Sequence, residues 1–153
     1  MSEKDSVEIH VLSDPCNLCV VRAAVSAAAD RFGLDEPARD KVVLAVDEAM
    51  TNVIRHGYKQ RTDGAIDVTL SRVRDNGRSG IQVVIEDEVG PVDVERIARR
   101  SLDEVRPGGL GVNIIYESFD QVEYSPRPDA VGLKLTLRKY QPVPRAKESA
   151  DRQ

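Results

Sequence analysis

Residues 46–58 read VDEAMTNVIRHGY, and the reading of this stretch decides the fold. Val42, Val46, Met50 and Val53 recur at three- and four-residue steps, the spacing of one apolar helix face. Glu48, Asn52 and His56 stand at i, i+4 and i+8, in a row that drifts slowly around the same helix. A carboxylate, an amide and an imidazole in line form either a solvated stripe or a site. Leu44 occupies the row one turn before Glu48, so the row is not uniformly polar. Glu48 also lacks a Lys or Arg at i±4, the partner an exposed helix often supplies. A carboxylate four residues before a carboxamide offers a base beside a hard oxygen donor of the kind Mg²⁺ prefers.

Outward from this stretch, the helix opens near Pro37 and runs to about His56, with Gly57 as its stop. Before it, Val7 to Leu12 alternates as a short strand. Asp14-Pro15 predicts an N-cap and first helical residue, and Leu18, Val21, Val25, Ala28 and Phe32 follow at helical spacing to Gly33. After it, Ile66, Val68 and Leu70 alternate with polar neighbours as a half-buried strand, and Asn76-Gly77 predicts a hairpin turn. The next strand, IQVVIED, puts Ile81, Val83, Ile85 and Asp87 on one face.

Asp93 to Arg100 predicts a short helix and residues 101–107 a loop. Gly108-Gly109-Leu110-Gly111 then opens a helix containing Ile114, Ile115 and Phe119, and strands near 121–125 and 131–139 close the domain around a Pro126–Asp129 turn. The pattern predicts an α+β fold, a two-layer sandwich with helices over one face of a mixed, mostly antiparallel sheet. One domain spans residues 7–140, and the charged segment 141–153 is expected to be a disordered tail.

With 153 residues, 41% hydrophobic and 31% charged, the chain has an ordinary globular balance. Its 22 basic and 26 acidic residues give a net charge of −4, without the basic stripe of a direct nucleic-acid binder. No apolar stretch approaches the ~20 residues of a membrane helix, and MSEKDS lacks the apolar core of a secretory signal. A cytoplasmic location, with no membrane association, is the expectation. Cys16 and Cys19 form a C-x-x-C that is either a redox or zinc element or simply two small helix residues.

Two further segments bear on a nucleotide. Asp87 ends an inward-facing apolar row, so it is either an ordinary strand-end carboxylate or a buried acceptor for a donor such as a purine amino group. Gly108 to Gly111 opens a helix, where free backbone N–H groups and the helix dipole attract phosphate. A glycine cluster alone is weak; the order of Glu/Asn helix, strand-end Asp and glycine-opened helix is much stronger.

These residues resemble a known family. EAMTNVIRHGY is similar to the N-box of the GHKL (histidine-kinase-like) ATPases, in the form carried by bacterial anti-sigma serine/threonine kinases, with Glu48, Ala49, Asn52, His56 and Tyr58 matching. GGLGVNIIYESFDQVEY, residues 108–124, resembles the second glycine box and its helix. The similarity covers about residues 7–139.

The resemblance implies a Bergerat-type ATP-binding fold using ATP and Mg²⁺. Glu48 would be the general base, Asn52 the Mg²⁺ ligand and Asp87 the adenine acceptor. Gly108, Gly109, Leu110 and Gly111 would offer backbone N–H groups to phosphate. Arg106 is added as a γ-phosphate contact, against the alternative of a solvated arginine, and His56 is expected to pack or hydrogen-bond.

The implied activity is protein serine/threonine kinase, phosphorylating a STAS-type anti-anti-sigma protein and sequestering a sigma factor, and the resemblance also implies a homodimer formed through the first strand region. The alternative is a partner-binding regulator that binds ATP weakly or not at all. It arises because the first glycine box here is Asp87-Glu88-Val89-Gly90-Pro91, with Val89 at the expected glycine. A branched residue disfavours positive φ, and Gly90 offers compensation by a one-residue shift.

Overall fold

Alternating apolar residues become the inner face of one five-stranded sheet. A computed structural model describes residues 5–90, 110–128 and 131–143. The strands are β1 (Ser6–Leu12), β2 (Ala65–Asp75), β3 (Arg78–Asp87), β4 (Gln121–Pro126) and β5 (Leu133–Tyr140). They lie in the order β1-β2-β3-β5-β4, and each described pairing is antiparallel. Val68 faces Ile85, Val83 faces Leu137, and Ile66 faces Asp87 across neighbouring strands. The predicted turn is a tight one, with Asn76 at φ 49° and Gly77 at φ 77°. Positive φ at both central residues is what a right-twisted hairpin needs.

The helices α1 (Leu18–Arg31), α2 (Glu36–Asn52) and α3 (Leu110–Ser118) complete the architecture, with α2 packed against both α1 and α3. The core lies between helices and sheet. Phe32, Met50, Ile66, Leu70, Ile81, Ile85, Ile115 and Leu137 are its largest fully buried side chains, each stabilising the fold by roughly 1.5–3 kcal/mol. The α+β sandwich is as expected. None of the described helices is long and apolar enough to cross a membrane.

Local chemistry fixes the helix ends. Asp35 caps α2, its Oδ1 accepting the Ala38 amide at 3.0 Å. Asp14 accepts the Cys16 amide at 2.9 Å, but the turn it caps, Pro15–Asn17, is 3₁₀ and precedes α1 proper. Gly33, at φ +91°, ends the α1 segment. The long central helix differs from expectation at its end: α geometry stops at Asn52, and Val53–Gly57 form a π turn.

Gln141 is tied down rather than free. Its amide donates to the Ser79 carbonyl at 2.7 Å, and its side chain donates to Asp35 Oδ2 at 2.7 Å and accepts the Asp35 amide at 2.9 Å. The expected helix at 93–100, the loop at 101–107, Arg106, Gly108, Gly109 and residues 144–153 lie outside the described residues.

Candidate functional site

The row on α2 changes environment along its length. Leu44 is 50% exposed, Glu48 and Asn52 are half-buried, and His56 is exposed again. Asp47, beside Glu48, receives Arg22 Nη1 at 2.8 Å and so ties α2 to α1. Glu48 and Asn52 make no hydrogen bond or ion pair among the described residues, leaving a carboxylate and an amide oxygen unengaged one turn apart. His56 is exposed and makes no hydrogen bond among those residues. The π turn accounts for this: an extra residue in the turn rotates the side chains beyond Asn52 off the α row.

Asp87 is buried, at 5% exposure. Its Oδ1 accepts the Val89 amide at 3.0 Å and the Leu133 amide at 3.1 Å. Its Oδ2 makes no hydrogen bond among the described residues. Burial pushes its pKa above the ordinary carboxylate value, against the opposing pull of those two amides and of Arg127. A carboxylate with one oxygen saturated by amides and the other unengaged is a directed acceptor.

The segment after β3, residues 87–90, is held from two sides. On one side Arg127 donates Nη1 to the Asp87 carbonyl at 3.1 Å and Nε to Glu86 at 3.1 Å. Gly132, at φ +128°, lies so close that a Cβ there would stand 1.8 Å from the Asp87 carbonyl oxygen. On the other side Tyr58 accepts the Glu88 amide on its hydroxyl at 2.8 Å and donates to the Ala65 carbonyl at 2.5 Å. The Tyr58 ring lies over Gly64, where a Cβ would come within 2.4 Å of it. Burial raises the Tyr58 pKa, so the hydroxyl stays protonated and can donate.

The departure at the first glycine box has a local explanation. Val89 is not among the positive-φ residues, so its branched side chain costs no strain there. At the next position, a Cβ on Gly90 would stand 2.1 Å from Val131 Cγ1, the end of an exposed side chain that is free to turn aside.

Sequence reasoning had picked out Glu48, Asn52, Asp87 and Gly90, and matched Tyr58 only as part of a motif. It missed Arg127, Gly132 and the Leu133 amide. The one available signal for them was the PRPDAVG turn, whose arginine and glycine have no role until β5 is laid beside β3. Leu110 and Gly111 lie in the first turn of α3, which packs on α2. Cys16 and Cys19 are free and exposed, the Cys19 thiol donating to the Cys16 carbonyl at 3.2 Å. No group of three or more His, Cys, Asp or Glu among the described residues is placed to hold a metal. The zinc reading of the C-x-x-C therefore lacks further ligands there.

A helix with an unengaged acid–amide pair, a buried strand-end carboxylate beside its end, and a third helix led by glycines define a nucleotide-binding domain of the histidine-kinase-like class. The model of the histidine kinase-like ATPase domain family matches residues 11–139, and the chain belongs to that family.

Its relatives include proteins named serine-protein kinase RsbW. That of Listeria monocytogenes is 32% identical over 127 residues, 78% of each chain. That of Oceanobacillus iheyensis is 26% identical over 148 residues, covering 92% of this chain and 89% of the relative. That of Bacillus subtilis is 24% identical over 144 residues, covering 89% and 86%.

Proposed function

We propose that the protein is an ATP- and Mg²⁺-dependent serine/threonine kinase of the anti-sigma type. Its substrate would be a STAS-type anti-anti-sigma protein, and its unphosphorylated-partner cycle would release a sigma factor that it otherwise sequesters. The observation that carries this reading is the Tyr58–Glu88 hydrogen bond, which joins the end of the Glu48/Asn52 helix to the segment holding Asp87. The serine-protein kinase names of the relatives support the reaction class.

The donor set suits the proposed cofactor. Mg²⁺ is commonly held by one or two protein oxygens together with phosphate and water. The Asn52 amide oxygen fits that role without a carboxylate cage, in keeping with the unengaged state of its side chain. When bound, Mg-ATP supplies the phosphoryl group and neutralises its charge. Glu48 would take the proton from the substrate hydroxyl, Asn52 would hold the metal and so orient the phosphate end, and Asp87 Oδ2 would accept from the adenine amino group. Gly109, Leu110 and Gly111, with Gly108, would offer backbone N–H groups to phosphate, and Arg106 would contact the γ-phosphate.

A phosphotransfer assay with purified STAS-domain partner tests the proposal. Transfer of labelled phosphate to a partner serine or threonine is expected. Mg-ATP binding without transfer would favour the alternative of a non-catalytic regulator. Homodimerisation and a cytoplasmic setting complete the reading and are checked by light scattering and cell fractionation.

A further inference from the structure

We infer that Val89 is a positioning residue, a clasp that seats the adenine segment on the end of the catalytic helix and keeps Asp87 aimed before nucleotide arrives. The inference rests on the reading of Asp87 as the adenine acceptor. Four observations converge on it. The Val89 amide donates to Asp87 Oδ1 at 3.0 Å, so the position of residue 89 sets the direction of the other oxygen. The Val89 side chain is half-buried and packs against the core. Its Cγ2 lies 3.2 Å from where a Cβ on Gly57 would stand, with Val53 Cγ1 at 3.9 Å on the other flank. The residues next to this pair, Tyr58 and Glu88, share the hydrogen bond already described.

Residues 57–58 and 88–89 thus meet at two adjacent points, one apolar and one polar. Gly57 supplies the space and Val89 fills it. A glycine at 89 would remove the apolar point and add backbone freedom to the segment carrying Asp87. The valine at the expected glycine therefore tightens the adenine end of the site rather than spoiling it. The chemistry affected is purine selection. A fixed carboxylate oxygen accepts from a 6-amino group and repels a 6-oxo group, whereas a loosened segment can turn an amide toward the 6-oxo purine.

The test is the ratio of dissociation constants for Mg-ATP and Mg-ITP, measured by calorimetry on the full chain. Each ratio is internal to one variant, so a loss of folded fraction cancels. The unsubstituted protein is expected to favour ATP. Val89→Gly is expected to lower that preference about tenfold, because losing the half-buried contact and gaining backbone freedom lets the Asp87 segment turn. Val89→Ile, which keeps an apolar β-branched side chain, is expected to hold the preference within about twofold. Gly57→Ala is expected to lower it in the presence of Val89 and to have little effect in the Val89→Gly background, because the two residues share one space.

An unchanged preference in Val89→Gly, or additive effects of the two substitutions, would overturn the clasp. ATP and ITP bound equally by the unsubstituted chain would instead overturn the adenine reading of Asp87, and the clasp with it.

Discussion

The Tyr58 hydroxyl accepts the Glu88 amide at 2.8 Å while donating to the Ala65 carbonyl at 2.5 Å, so one side chain joins the helix end, the start of β2 and the segment after β3. Tyr58→Phe leaves an amide and a carbonyl in a partly buried setting without that partner. An unpaired buried polar group costs about 1–3 kcal/mol, and chemical denaturation should show a loss of that order. An unchanged midpoint would mean that water replaces the hydroxyl at no cost.

Asp87→Asn should separate stability from binding. The folded pKa of Asp87 is raised by burial, so its contribution to stability is greatest below the unfolded pKa and is lost as pH rises through the folded value. At neutral pH the ionised carboxylate is therefore the costly form, and the asparagine variant should unfold at a temperature equal to or above that of the unsubstituted protein. Its advantage should shrink as pH falls. ATP binding should move the other way. With one oxygen still accepting the two amides, the new NH₂ group faces the adenine amino group, donor against donor. Loss of a charge-assisted hydrogen bond costs about 1.5–3 kcal/mol. Retained ATP affinity in a well-folded variant would dissociate Asp87 from adenine.

Glu48→Gln keeps the size of the side chain and removes the base. General base catalysis contributes roughly 10²- to 10⁴-fold, so single-turnover transfer to the partner should slow by that range while ATP affinity is unchanged. Transfer at the original rate would exclude Glu48 as the base.

Gly132→Ala tests the far side of the Asp87 segment. The added Cβ would fall 1.8 Å from the Asp87 carbonyl oxygen at a φ of +128°. Both the clash and the backbone conformation act against it, and a destabilisation of about 3 kcal/mol or more is expected. Thermal unfolding that matched the unsubstituted protein would show that β5 shifts to accept it.

Much of this was legible in the chain because the signals were local. Alternation placed Ile66, Val68 and Leu70 on the inner face, Asn76-Gly77 gave the hairpin, and the Pro37 region and Gly33 marked helix ends. The Glu48–Asn52 spacing was readable for the same reason, since four residues on a helix define a direction. The π turn was not readable, because Gly57 and Tyr58 meet residues 88–89 only in the folded chain, about thirty positions away. Arg127, Gly132 and Leu133 were hidden because they reach Asp87 only through the pairing of β3 with β5, 40 or more residues apart. Val89 could not be read for that reason too: its seat against Gly57 joins segments about thirty residues apart.

The most direct test is a calorimetric titration of the full chain with ATP, with and without Mg²⁺, set beside the same titration of Asn52→Ala. The account predicts that Mg²⁺ strengthens binding to the unsubstituted protein and that Asn52→Ala removes that gain, weakening Mg-ATP by about tenfold or more, ~1.4 kcal/mol. Equal affinity of the two proteins for Mg-ATP would contradict it, because the acid–amide pair would then have no part in holding the nucleotide.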